Sequence, residues 1–331
     1  MTAIAHDVVG IGNAMVDVLV HADDGFLAGQ GLAKGAMALI DAGRAEALYG
    51  EMGPGVEISG GSAANTVAGI AAFGGRGAFV GKVSDDQLGR VFGHDVRALG
   101  VHFDTPHSVG GAPTARCLVV VTADGQRTMS TFLGACIELG PDDIDEAVIA
   151  ASRVTYLEGY LWDPPGAKAA FRKAYEIAHG HDRQVALSLS DPFCVDRHRD
   201  EFLDLVGDHV DILFANEAEI VSLYQVADFD EALQRVRGHC RIAALTRGAH
   251  GSVVVAGDEV HVVPAHPVAR VVDTTGAGDL YAAGFLHGLT QGWDLARCAR
   301  LGGLAASEAI AHIGARPQAD LAALAVEHGL G

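Results

Sequence analysis

From Pro141 onward, short apolar runs alternate with helical patterns: PDDIDEAVIAAS, RVTYLEGY, PPGAKAAFRKAYEIAHG, QVALSLS, DHVDILFA, NEAEIVSLYQ, DEALQRVRG, RIAALTRG, SVVVAG and EVHVVPA. A chain that keeps switching between strand and helix periodicity is confined to few solutions. The strands pair mostly in parallel, and the helices return over both faces. The pattern therefore predicts an α/β doubly wound, mostly parallel sheet flanked by helices, with ligands at the carboxyl ends of its strands. With 331 residues and 49% hydrophobic content, the chain can bury the core such a sheet needs.

The first third is more mixed. DVVGIG and MVDVLV read as two strands joined by a short turn at Asn13-Ala14, and residues 115–132, ARCLVVVTADGQRTMSTF, read as a hairpin about Asp124-Gly125. Strand-like AMALI precedes helical DAGRAEALYG, and GGSAANTVAGIAAFGG is a Gly-Gly turn leading into an Ala-rich helix. GIGNAM imitates the start of a dinucleotide fingerprint. Met15 stands where the third glycine belongs, and a strand follows rather than a helix, so that reading fails on the motif's own criteria. No repeat, low-complexity tract or Pro/Ser-rich linker divides the chain, which is expected to be a single domain over 1–331.

A formal net charge of −19 opposes binding to nucleic acid or to an anionic membrane surface, so any phosphate partner must be held locally. The N-terminal MTAIAHDVVGIG has neither the basic segment nor the apolar core of a signal peptide. The longest uncharged run, Ile58 to Gly75, is broken by Gly, Ser, Asn and Thr and does not resemble a membrane span. Five scattered cysteines without a CxxC pair argue against a zinc site or a disulfide framework, and a cytoplasmic location is expected.

Chemistry concentrates in VVDTTGAGDLYAAGFLHG, residues 271 to 288, where a strand-like run gives way to a helical one and Asp279 directly follows Gly276-Ala277-Gly278. A glycine turn opening a helix offers unpaired N–H groups and a positive dipole end to an anion. Asp279 either caps that helix or acts on the anion's reaction partner. In GGSAANTVAG, Asn65 can both donate and accept hydrogen bonds to a polyol or ribose, or can be an ordinary helical Asn behind a packing turn. Asn216 and Glu219 of NEAE follow an apolar run and could project oxygens toward a hydrated magnesium ion. Their spacing equally resembles a capping box. LTRGAHG places Thr246, Gly248 and Gly251 after another strand, where a nucleotide could approach.

In this order, these segments resemble the ribokinase (PfkB) family of carbohydrate and purine kinases over nearly the whole chain. GGSAANTVAGIAAFGGRGAFVGKVSDDQLG and DTTGAGDLYAAGF match its two signatures, with GNAMVD, NEAE and TRGAHG between or beside them. The resemblance implies a ribokinase-like domain with a small β-sheet lid, its strands inserted approximately within 13–40 and 101–135. It also implies phosphoryl transfer from ATP with Mg2+. Asp279 would be the general base, and Gly276, Ala277, Gly278 and the Asp279 amide would form the anion hole. Asp17, Gly61 and Asn65 would hold substrate hydroxyls. Asn216 and Glu219 would position magnesium through water, and Asn216, Thr246, Gly248 and Gly251 would line the ATP side. Asp273, Thr275 and Gly314 would form the monovalent-cation (K+) site seen in some relatives.

Within the family, GNAMVD, GGSAANT, LSLSDPF, LFANEAE and RLGGLAASEAIAHIGARP look closest to adenosine kinases. The expected acceptor is a nucleoside, with a simple sugar as the runner-up and a ligand-binding protein without turnover as the alternative of another class. Met37, Leu39, Phe132 and Leu133 are expected to enclose a base, with Tyr156, Tyr160 and Trp162 as an aromatic wall or, equally, as ordinary core. The expected assembly is a monomer or homodimer.

Overall fold

The computed structural model of the chain describes residues 2–331. Among the described residues, thirteen strands form two sheets: β1 (His6–Ile11), β2 (Met15–His21), β3 (Met37–Leu39), β4 (Val56–Gly60), β5 (Gly77–Val80), β6 (Ala115–Val121), β7 (Arg127–Phe132), β8 (Ser152–Glu158), β9 (Gln184–Ser188), β10 (Ile212–Asn216), β11 (Ile242–Thr246), β12 (Ser252–Ala256) and β13 (Glu259–Val263). The large sheet has eight strands in the order β13-β12-β11-β10-β9-β8-β1-β5. It is parallel from β11 to β5, while β12 and β13 add an antiparallel edge.

Both faces of this sheet are dry, which explains the runs of consecutive apolar residues in its strands. Successive side chains alternate between two cores. Val8, Tyr156, Ala186, Ile212, Ala244 and Val254 face the helices Ser62–Ala72, Ala277–Thr290 and Leu295–Ala309. Val9, Leu157, Leu187, Leu213, Leu245 and Val255 face Pro165–Gly180, Pro192–Asp208, Glu217–Tyr224 and Phe229–Val236. The helix Pro192–Asp208 is absent from the sequence reading. Its charge-dense PFCVDRHRDEFLDLVGD weakens the apolar period and His198 interrupts its geometry, although Asp191 capping Cys194 N at 2.6 Å and Pro192 in the first turn are ordinary start signals.

The small sheet has the order β3-β7-β6-β2-β4. The hairpin expected about Asp124-Gly125 is β6 and β7, paired from Arg116–Phe132 to Val121–Arg127. β1 and β2, read as neighbours across a turn, do not pair at all. β1 lies between β5 and β8, and the chain crosses at Asn13-Ala14 into the small sheet, where β2 pairs with β4 and β6. The sequence carries the reason: VVGI is continuously apolar and suits a core strand, whereas Asp17 alternates with apolar neighbours and suits a sheet with one wet face. β4 joins this sheet from outside the two stretches expected to supply it.

The glycine-bearing helices pack very closely. A Cβ on Gly284 would lie 2.7 Å from Leu301 O, and one on Gly302 would lie 2.7 Å from Tyr281 O. Backbone therefore meets backbone where Ala277–Thr290 crosses Leu295–Ala309. Gly284→Ala should lower stability by about 1–3 kcal/mol through overpacking, read as a shift in denaturant midpoint at unchanged slope.

Candidate active site

The carboxyl ends of the large sheet and one face of the small sheet enclose a cavity of about 1400 Å³. Strand pleat decides what each wall presents. On β2 the odd-numbered Met15, Asp17 and Leu19 face the cavity, while Val16, Val18 and Val20 are buried behind. Met37 and Leu39 of β3, Val56 and Ile58 of β4, Val119 of β6, Met129 of β7 and nearby Leu133 extend this face, so Asp17 is a carboxylate on an otherwise mostly apolar wall.

The opposite wall is built from two helix starts. Gly61 takes φ +102, and a Cβ there would meet Asn13 O at 2.1 Å, so the helix Ser62–Ala72 can begin only on a glycine. Its first turn aims Ser62 and Asn65 at the second helix start. Ser62 Oγ donates to Asp279 Oδ1 at 2.6 Å, and Asn65 Nδ2 donates to Oδ2 at 2.9 Å. Gly276, at φ +78 with Ala315 Cβ 2.5 Å from where its own Cβ would be, opens the helix that carries Asp279. Helix geometry leaves the Gly278 and Asp279 amides without intrahelical acceptors, whereas Ala277 N bonds weakly back to Thr274 O at 3.3 Å. A Cβ added to Gly278 would meet nothing within 4 Å, so the approach to those amides is open.

Burial pushes the Asp279 carboxyl up, against the bonds from Ser62 and Asn65 and the charge of Arg316. Asp17 is pushed up to about 6 by burial, opposed by Arg316 and Arg127. Arg316 donates to Ser59 O through Nε (3.1 Å) and Nη2 (2.9 Å) and to Ala64 O through Nη1 (2.9 Å); burial lowers it to about 10, which leaves it charged at neutral pH. A permanent cation thus stands in the same cavity as Asp17 and Asp279.

Glu158, at the end of β8, is pushed up to about 7 by burial, although it accepts from Ala63 N at 2.8 Å and Asn13 Nδ2 at 2.6 Å. Glu219 is also pushed up to about 7 by burial. Both its oxygens accept from Asn216, one from the backbone N–H at 2.9 Å and one from Nδ2, and Asn216 Oδ1 accepts from Glu219 N at 2.9 Å. The capping box suggested by the sequence is therefore present, with both residues on the cavity wall.

The cavity brings together Asp17, Met37, Leu39, Gly61, Asn65, Leu133, Tyr160, Asn216, Glu219, Thr246, Gly248, Thr275, Gly276, Ala277, Gly278, Asp279 and Gly314. Gly251 is not on its wall. A Cβ there would sit 2.1 Å from Val263 O, so that glycine serves a tight backbone passage. Asp273 lies behind the wall, with Oδ1 accepting from Thr275 and Oδ2 from Gly314 N. Phe132 is also off the wall, and the expected aromatic wall shrinks to Tyr160: Tyr156 packs in the core against Phe214, and Trp162 packs against Phe171 and Phe202. Ser62, Arg127, Glu158, Asp191, Phe214 and Arg316 are cavity residues that the sequence reading did not single out. Glu158 alone carried a usable signal, an acid ending an apolar strand.

A carboxylate beside open helix-terminal amides, with a second carboxylate on the wall of the same large cavity, suits chemistry on a small molecule. The chain belongs to the pfkB family of carbohydrate kinases, whose family profile matches residues 41–321. It is a kinase that uses an alcohol as phosphoryl acceptor. The fold is similar to that of an adenosine kinase from Sinorhizobium meliloti, with TM-score 0.91 and 56% identity over 98% of this chain and 99% of that one. It is also similar to a probable sugar kinase protein from Rhizobium etli, with TM-score 0.92 and 52% identity over all of both chains. Among sequences, a 5-dehydro-2-deoxygluconokinase of Geobacillus thermodenitrificans is 27% identical over 75% of this chain and 77% of its own. Among the described residues, no helix is long and apolar enough to cross a membrane.

The raised Glu158 carboxyl sets a pH dependence. Unfolded chains ionise it near its ordinary value, whereas the folded protein holds the proton to about pH 7, so stability is lost as pH rises between those values. The stability of Glu158→Gln relative to the parent should rise by about 2–3 kcal/mol from pH 5 to pH 8, measured by denaturant unfolding of the ligand-free proteins.

Proposed function

We propose that this chain transfers the γ-phosphate of ATP to the 5′-hydroxyl of a purine nucleoside, with adenosine as the preferred acceptor. The observation that carries the acceptor class is the inward face of the small sheet. Met37 and Leu39 are 51% and 61% exposed, and Met15, Leu19 and Met129 continue the same wall. Such a surface suits the flat apolar faces of a base, while a free sugar would leave it unmatched. The 56% identity to an adenosine kinase supports the same choice, and the 52% identity to a probable sugar kinase keeps the sugar reading as the alternative.

In this reading the polar groups divide by position. Asp17 and Asn65 hold the ribose hydroxyls, and Asn65 Oδ1 is buried without a hydrogen-bond partner, a free acceptor of the right kind. Asp279 takes the proton of the attacking hydroxyl. Ser62 and Asn65 hold its carboxylate in place, and its raised affinity for a proton suits a base that must accept one. The Gly278 and Asp279 amides and the helix dipole receive the charge developing on the transferred group, and Arg316 adds a fixed positive charge nearby.

Kinases of this family use ATP, generally with Mg2+. The residues here fit a hydrated ion. Glu219 is buried with both oxygens already accepting from Asn216, and no cluster of three or more acid, His or Cys side chains among the described residues could cage a bare metal. Asn216 and Glu219 would hold such an ion through its waters, and it would supply charge to neutralise the phosphates. Thr246 and Gly248 line the nucleotide end of the same cavity.

Asp279→Asn should fold normally and lose about 10²- to 10⁴-fold in turnover. Near-parental turnover would remove Asp279 from the role of base. For the acceptor, coupled ATP-turnover assays across adenosine, other nucleosides, ribose, fructose and keto-sugar acids should give the highest kcat/KM with a purine nucleoside. A higher value for any free sugar overturns the nucleoside assignment and leaves the kinase standing. Leu39→Ser should raise KM for the nucleoside with little change in KM for ATP.

A further inference from the structure

Asp273, Thr275 and Gly314, expected to form a monovalent-cation site, do not fit one. A carboxylate has about four lone-pair positions; Asp273 accepts three hydrogen bonds, and an arginine nitrogen stands against its second oxygen. Oδ1 accepts from Thr275 N at 3.1 Å and Thr275 Oγ1 at 2.8 Å, while Oδ2 accepts from Gly314 N at 2.9 Å and faces Arg127 Nη1 at 2.8 Å. The Arg127 and Asp273 side chains are only 10% and 6% exposed. Thr275 and Gly314 thus present hydrogens to Asp273, which leaves that carboxylate little free lone-pair density for a metal ion. The positive charge beside the carboxylate is already a guanidinium.

We propose that Arg127 takes the place of the monovalent cation at Asp273, so that this kinase needs no potassium. Arg127 opens β7 in the small sheet, and Asp273 opens the turn leading to Gly276 and Asp279 in the large unit. The ion pair supplies the charge a bound cation would bring to that turn, and it also clasps the small sheet to it. A free ion could do only the first. Arg127 Nε is buried without an acceptor, and Asp273 is the carboxylate with which the guanidinium pairs.

Two arms test this, and only the turnover arm rests on the kinase reading. In the first, ligand-free parent protein is melted in potassium chloride and in choline chloride at equal ionic strength, and titrated calorimetrically with potassium chloride. Expected are equal melting temperatures and no binding heat. In the same salts, turnover should agree within about twofold. In the second arm, Arg127→Ala and Arg127→Gln open the seat and should gain a potassium-specific rise in melting temperature that the parent lacks. A saturable, potassium-specific stabilisation or activation of the parent overturns the proposal, as does the absence of any gain in folded variants. Should no acceptor be phosphorylated at all, the kinase reading fails, while melting and calorimetry still decide the fate of the cation seat.

Discussion

Everything at this site depends on burying negative charge where two helices begin. Asp279 lies at the start of Ala277–Thr290 and is held by Ser62 and Asn65 from the start of Ser62–Ala72. Such burial is costly unless dipoles and donors replace water, and converging helix N-termini supply both. The same logic extends outward. Glu158 takes the Ala63 N–H from the same helix start, and Arg316 binds carbonyls on either side of it. Four of the carboxyls that line the cavity, Asp17, Glu158, Glu219 and Asp279, are each pushed up by their loss of water.

The sheets make this arrangement rigid. Parallel strands dry on both faces place Glu158, Asn216 and Thr246 at one edge, and the near contact of Gly284 and Gly302 with the facing backbones locks the Asp279 helix against its neighbour. The small sheet contributes a different kind of wall. One side packs on its own helices, and the other remains unfilled.

Periodicity made the large sheet legible, and glycine punctuation made both helix starts legible, because each reports a local requirement of the backbone. The small sheet was only partly so. Asp17 alternating with apolar residues announced a half-wet strand, yet nothing local said that β2 would abandon β1 and pair with β4 and β6. Arg127 and Arg316 were invisible for a related reason. An arginine in a hairpin or a terminal loop looks like a solvated charge, and the burial of Arg127 beside Asp273 and of Arg316 against Ser59 and Ala64 arises from contacts across more than a hundred residues. Trp162 shows the reverse failure: a large aromatic beside the site in sequence that the short 3-10 turn Gly159–Trp162 points into the core.

The methionine and leucine face of the small sheet leaves apolar surface hydrated in the ligand-free protein. Whatever fills the cavity either strips that water away or preserves it. An aromatic ring strips it, and the thermodynamic mark of doing so is a negative heat-capacity change on binding. A ligand made only of hydroxyl-bearing carbons leaves most of the hydration in place. The temperature dependence of the binding enthalpy therefore reports how much of the wall a ligand covers, independently of whether phosphate is ever transferred.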